Sequence, residues 1–149
     1  MASTEATRPD PLVLLDPLMG EWIAEGESPT GPYLCRRHFS RILGGQHVQL
    51  ETHWEYVSST YDELTIFGPD EIHGLQYWSF SSSGEQTAGH LSSAGGLSEQ
   101  AVVFDSLAPV SRLRYSYWPT GAGGVVVFVV ESKSVRGWTR LLEHHYRAG

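Results

Sequence analysis

From Gly20 onward the apolar residues of this chain recur at every second position, and the runs break at short intervals on glycine, proline, serine and aspartate. Side chains on an extended backbone alternate between two faces, so this period describes strands with one face in and one face out, not helical stripes. The strand-like runs cover residues 20–28, 33–43, 46–57, 62–67, 72–81, 85–92, 99–105, 111–118, 124–134 and 137–147. Between them lie Gly44-Gly45, Pro69-Asp70, Ser83-Gly84, Gly95-Gly96 and Gly121 to Gly124, residues suited to tight turns. The gaps are too short for crossover helices, so successive strands are antiparallel neighbours. An open sheet of about ten strands would expose two edges, and closure removes both. The expected fold is all-β: an up-and-down antiparallel β-barrel of about ten strands, with a two-sheet sandwich as the alternative.

Ahead of the strands, PLVLLDPLMG (11–20) places Leu14, Leu15, Leu18 and Met19 at the spacing of one short helical face, which Pro17 limits to a turn or two. Residues 1–10 are polar and read as a disordered segment; residues 11–149 read as a single domain. The 149 residues, 40% hydrophobic, are enough for one sizeable core and suggest no second one. A net charge of -7 opposes attraction to nucleic-acid phosphates and anionic membranes. Aromatic residues make up 11% of the chain without interleaved cations, which favours core packing over base stacking. Cys35 is the one cysteine, so neither a disulfide framework nor a thiolate metal cage is available. The longest apolar run, VVVFVV (125–130), suits a buried strand, and the N-terminus lacks a cationic start followed by an apolar stretch. These features predict a soluble cytoplasmic protein, monomer or homodimer, with no nucleic-acid or membrane partner.

The alternation assigns faces. In QHVQLETHWEY (46–56), Val48, Leu50, Thr52, Trp54 and Tyr56 form the interior set, opposite His47, Gln49, Glu51, His53 and Glu55. In RLRYSYW (112–118), Leu113, Tyr115 and Tyr117 share a face. In WTRLLEHHYR (138–147), Trp138, Arg140, Leu142, His144 and Tyr146 carry the larger aromatic content and are placed inside. That puts a cation, an imidazole and a phenol on one apolar wall, a combination suited to an amphipathic ligand. In GEWIAEGES (20–28), Trp22 points inward with Ala24, Gly26 and Ser28, whose small size leaves space beside it.

The opening Gly20-Glu21-Trp22 after a short apolar helix resembles the Gly-x-Trp that begins the first strand of lipocalin-like barrels of the calycin superfamily. RGWTRLLEHHYR (136–147) resembles the closing pattern of small bacterial lipocalin-like proteins, and LGGQHVQLETHWEY resembles their Gly-Gly turn and long third strand. The resemblance implies that Trp22 closes one end of the barrel under a basic residue of the last strand, by position Arg147. Fatty-acid-binding proteins share the architecture and hold a carboxylate with an Arg and a Tyr two residues apart on the last strand; this chain departs from that pattern, with His144 and Tyr146 at that spacing and Arg140 earlier on the strand. Nitrobindin, a more distant relative, binds haem through a His near the C-terminus, which His144 or His145 could match.

Other chemistries find little support. Adjacent residues on a strand face opposite ways, so His144 and His145 do not chelate one ion, and His47 and His53 lie about 20 Å apart along their strand. Glu51 with His53 could begin a metal site only with ligands from a neighbouring strand. No nucleophile elbow, phosphate loop or dinucleotide fingerprint is present. The sequence therefore predicts binding of a small hydrophobic or amphipathic molecule inside the barrel. Trp54, Tyr56, Trp78, Tyr115, Tyr117, Leu142, His144 and Tyr146 serve as walls and Arg140 as polar anchor, with neither cofactor nor metal. One alternative is an enzyme of small-molecule biosynthesis (cyclisation, isomerisation or dehydration) with His144 or Tyr146 moving a proton. A further alternative is haem binding.

Overall fold

The structure, a computed structural model, describes residues 10–92, 101–107, 112–120 and 124–149. The strands are β1 (Gly20–Ser28), β2 (Gly31–Ile42), β3 (His47–Glu55), β4 (Thr60–Asp70), β5 (Gly74–Ser81), β6 (Gln86–Leu91), β7 (Val102–Ser106), β8 (Leu113–Pro119), β9 (Val125–Ser134) and β10 (Gly137–Ala148). Each pairs antiparallel with the next and β10 returns to β1, giving the closed ten-strand up-and-down barrel that the alternation predicts. This is also the architecture that the calycin resemblance implies.

The turns differ in detail. Gly44 and Gly45 sit at φ 68° and 84°, the left-handed region their place between β2 and β3 requires. Pro69-Asp70, expected to be a turn, instead ends β4 and pairs with Leu75 and Gly74. The Asp70 carboxylate accepts the His73 backbone N–H at 2.9 Å and moves the turn to residues 71–73. The expected turns at Gly95-Gly96 and Gly121 to Gly123, the start of the run at 99 and the disordered segment over residues 1–9 lie outside the described residues.

The helix before β1 is a 3-10 helix, Pro11–Leu18. Its three-residue turn brings Leu12, Leu15 and Leu18 to one side, where each is at most 1% exposed, and leaves Leu14 48% exposed. The expected face, which included Leu14, assumed α-helical spacing. Asp10 belongs to the folded part: its carboxylate caps the Leu12 N–H at 3.0 Å and receives Arg41 of β2 at 2.9 Å, while Arg41 also holds Asp16 at 3.1 Å. The helix plugs the end of the barrel where β1 begins. Trp22 packs there against the core, and its indole N–H donates to the Leu18 carbonyl at 2.6 Å. The Arg147 cover implied by the resemblance does not form; Arg147 points outward and pairs with Glu25 at 2.9 Å. Phe39, Phe67, Phe104 and Tyr77 stack above the helix at centroid distances of 5.2 to 6.4 Å. Among the described residues no helix is long and apolar enough to cross a membrane.

The register of β10 against β9 shifts between Arg140 and Leu142. This β-bulge adds one residue, so the alternation changes phase across it. Leu142, His144 and Tyr146 face inward, as the sequence predicts. Trp138 and Arg140, on the far side of the bulge, face outward, so the expected interior position of both is corrected. Trp138 covers the Arg114 guanidinium at 4.2 Å, and Arg140 pairs with Glu143.

Leu15→Ala should lower the unfolding free energy by about 2–5 kcal/mol, whereas Leu14→Ala should change it by less than about 0.5 kcal/mol. Urea unfolding of the two variants measures the contrast.

Candidate functional site

The inward faces of β2 to β10 meet in the half of the barrel away from the helix. They line a cavity of about 170 Å³. Its floor is Phe67, Tyr77, Phe104 and Arg37; its apolar side is Trp54, Tyr115, Phe128, Val130 and Leu142. Glu63, Thr65, Ser79 and Thr87 form a polar side on β4 to β6, with Thr65 and Ser79 hydroxyls 3.0 Å apart. The volume corresponds to about six waters and is below the range of about 300–1,000 Å³ typical of drug-sized ligand sites. A larger hollow of about 710 Å³ lies along the outer wall of β1 to β5 between charged side chains such as Glu21, Arg36, Glu51 and Asp62. Water competes there for every polar contact, so the cavity inside the barrel is the better candidate despite its size.

Arg37 is 6% exposed and sits at the centre of the interior. Its Nε donates to the Tyr146 hydroxyl at 2.9 Å, and Nη1 donates to Thr52 at 3.2 Å and to Tyr117 at 3.5 Å. The guanidinium lies 4.3 Å from the Phe128 ring centre. The Tyr146 hydroxyl passes its own proton toward the Cys35 sulfur at 3.3 Å. Burial pushes the Tyr117 phenol up to about 12 against the opposing pull of Arg37, and raises Tyr146 as well, so both are neutral near pH 7. The cation is thus held by neutral oxygens and an aromatic face.

His144 lies between Tyr33 and Trp54, with ring centres 5.1 and 5.2 Å away. Burial, then the charge of Arg37 and the neighbouring His145, push its pKa down to about 4. Its Nδ1 is buried without a hydrogen-bond partner. Gly26 accounts for the position of Tyr33: a Cβ there would collide with the Tyr33 hydroxyl. The space that the small residues of β1 offer beside Trp22 is therefore taken by this ring. Pairing of β1 with β10 stops at Ile23 and Arg147, so the strands part beside Gly26 and His144.

The expected wall residues divide. Trp54, Tyr115, Tyr117 and Leu142 line the cavity. Tyr146 and His144 lie behind it, and Tyr56 stacks on Trp54 at 6.1 Å near the open end. Trp78 is corrected: it pairs with Ile66 and Ala88 on the outer face and is 38% exposed, because the alternation of β5 turns Tyr77 inward instead. Arg140, the expected anchor, is outside beyond the bulge. Its place as interior cation is taken by Arg37, whose strand reads Tyr33, Cys35, Arg37 and Phe39 at every second position. That alternation was the available signal, and Arg37 is the only charged member of the set.

Haem does not fit this interior. A porphyrin far exceeds a 170 Å³ void, and His144 is flanked by Tyr33 and Trp54 where an axial ligand would need an open face. Among the described residues no group of three or more His, Cys, Asp or Glu is placed to hold a metal. Glu51 and His53 do not converge: His53 is held by Asp62 at 2.6 Å and Glu51 lies by His38 at 3.7 Å. Compared with known families and curated proteins, the chain matches no family model and no curated sequence.

Because the unfolded imidazole takes a proton near 6.5 and folded His144 only near 4, the unfolded state binds more protons in that window. His144 therefore lowers stability as pH falls from 6.5 to 4 and contributes no such term above 6.5. Measured by urea unfolding, the stability of wild type relative to His144→Leu should fall by about 3 kcal/mol between pH 7 and pH 4.

Proposed function

We propose that this protein binds a small amphipathic molecule inside the barrel, in the manner of small lipocalin-like proteins of the calycin superfamily. The observation that carries this reading is the 170 Å³ cavity inside the barrel, with an aromatic side facing a polar side. An apolar void lined only by hydrocarbon would be a packing defect; here several polar groups converge on it, which is the pattern of a ligand site. Its size favours a molecule with one ring or a short chain.

The test is titration of the protein with 2-phenylethanol, hexanoate and phenylacetate, followed through the Trp54 indole N–H resonance. At least one of the three should shift it, and Val130→Phe, which fills the cavity, should weaken that binding by more than about tenfold. No shift with any of them would contradict the reading.

A second reading is acid-base chemistry by His144, whose ring is buried, neutral at pH 7 and keeps an unpartnered Nδ1; because His144 lies behind Trp54 and outside the cavity lining, this reading requires the bound molecule to reach it past that ring. Tyr146 is the weaker of the two residues first considered, since Arg37 and Cys35 occupy its hydroxyl. With phenylacetone as probe, this reading expects deuterium exchange at its α-carbon that His144→Gln abolishes. Exchange unaffected by that variant would dismiss it.

A further inference from the structure

Buried arginines in this barrel are treated in two ways. On the outer face Arg114, 8% exposed, meets Glu131, 5% exposed, through Nε at 3.0 Å and Nη2 at 2.8 Å. That cation has its carboxylate. Arg37 inside the barrel is as deeply buried and, among the described residues, has no carboxylate within ion-pair distance. Its hydrogen bonds go to the hydroxyls of Tyr146, Thr52 and Tyr117, the neutral Cys35 thiol lies beside it, and Arg37 lines the cavity. A guanidinium does not discharge on burial, and hydroxyl groups satisfy its N–H donors without supplying negative charge.

Glu63 lines the same cavity. Arg37 pairs with Thr52 and Thr52 with Glu63, so the three form one row across β2, β3 and β4 with side chains inward. Two strand spacings separate the backbones of Arg37 and Glu63 by about 10 Å. The two charges face one small space without forming an ion pair. The Tyr77 hydroxyl, also on the cavity floor, is buried and lacks a partner.

We infer that the molecule held here is a small organic acid that also carries a hydrogen-bond donor, with Arg37 receiving the acid and Glu63 the donor. The inference rests on the binding function proposed above and narrows its ligand class. An alcohol would leave the cation uncompensated. A plain acid would satisfy Arg37 and meet repulsion from Glu63, whereas a hydroxy or amino group beside Glu63 turns that repulsion into a hydrogen bond. The apolar part of the molecule lies against Tyr115, Val130 and Leu142.

Calorimetric titration with four probes of similar size tests this: 2-phenylethanol, phenylacetate, mandelate with its donor close to the acid, and 4-hydroxyphenylacetate with its donor distant. In wild type, phenylacetate should bind about tenfold tighter than 2-phenylethanol, and at least one donor-bearing acid tighter again by a few-fold. Arg37→Met, which replaces the cation by an apolar chain, should abolish the preference for acids. Glu63→Gln should tighten phenylacetate and remove the advantage of the donor-bearing acids. The wild-type ranking and the Glu63→Gln result do not depend on Arg37→Met folding. Equal binding of alcohol and acid, or an acid preference that survives in folded Arg37→Met, would overturn the inference and leave the binding function standing. Donor-bearing acids no tighter than phenylacetate, or an advantage unchanged in Glu63→Gln, would overturn the assignment of Glu63. If none of the four binds, the binding function and the inference fall together.

Discussion

A guanidinium held inside a closed barrel by neutral groups sets the character of this interior. Transferring a charge out of water is costly, and the cost is offset only when hydrogen bonds and opposing charge replace the lost solvent. Arg37 recovers part of this through Tyr146, Tyr117 and Thr52, which come from three different strands, and through the face of Phe128. Those contacts tie β2, β3, β8, β9 and β10 to one point. They fix the rotamers of two tyrosines and leave one side of the guanidinium turned to the cavity, and the Arg37 charge adds to burial in lowering the proton affinity of His144. The remaining requirement, an anion, is what a ligand can meet.

The two ends of the barrel have different tasks. The 3-10 helix and the aromatic layer of Phe39, Phe67, Phe104 and Tyr77 fill the closed end, where Leu12, Leu15 and Leu18 are almost fully buried. The open half is less densely filled and carries its polar groups in a band on β4 to β6. A rigid floor with a partly hollow upper layer is the arrangement that holds a small molecule in one orientation, since the floor does not have to reorganise when the molecule enters. The bulge in β10 decides which side chains this upper layer contains: it turns Leu142 inward while Trp138 and Arg140 face outward.

Much of the architecture was legible in the sequence because a period of two with glycine and proline punctuation has few physical solutions. The inward set Val48, Leu50, Thr52 and Trp54, and the pair Tyr115 and Tyr117, followed directly. Leu14 was misplaced because apolar spacing does not distinguish a 3-10 turn from an α-helical one over eight residues. Trp138 and Arg140 were misplaced because a single inserted residue reverses the phase of a strand, and no residue type marks it. Trp78 was misplaced because β5 carries aromatics on both faces. Arg37 was overlooked for a different reason: beside Arg36 it resembles an exposed basic pair, and only the alternation with Tyr33, Cys35 and Phe39 shows that the two point opposite ways. Distances between strands, which keep Arg37 and Glu63 apart, are not encoded in any local pattern.

The central claim is that the Arg37 guanidinium is the group that receives the ligand. Its side-chain N–H resonances, assigned by their loss in Arg37→Met, report on this directly during titration with phenylacetate. As the probe binds, the Nη resonances of Arg37 should move downfield and exchange more slowly with water. A shift of the Trp54 indole with the Arg37 resonances unmoved would contradict the claim.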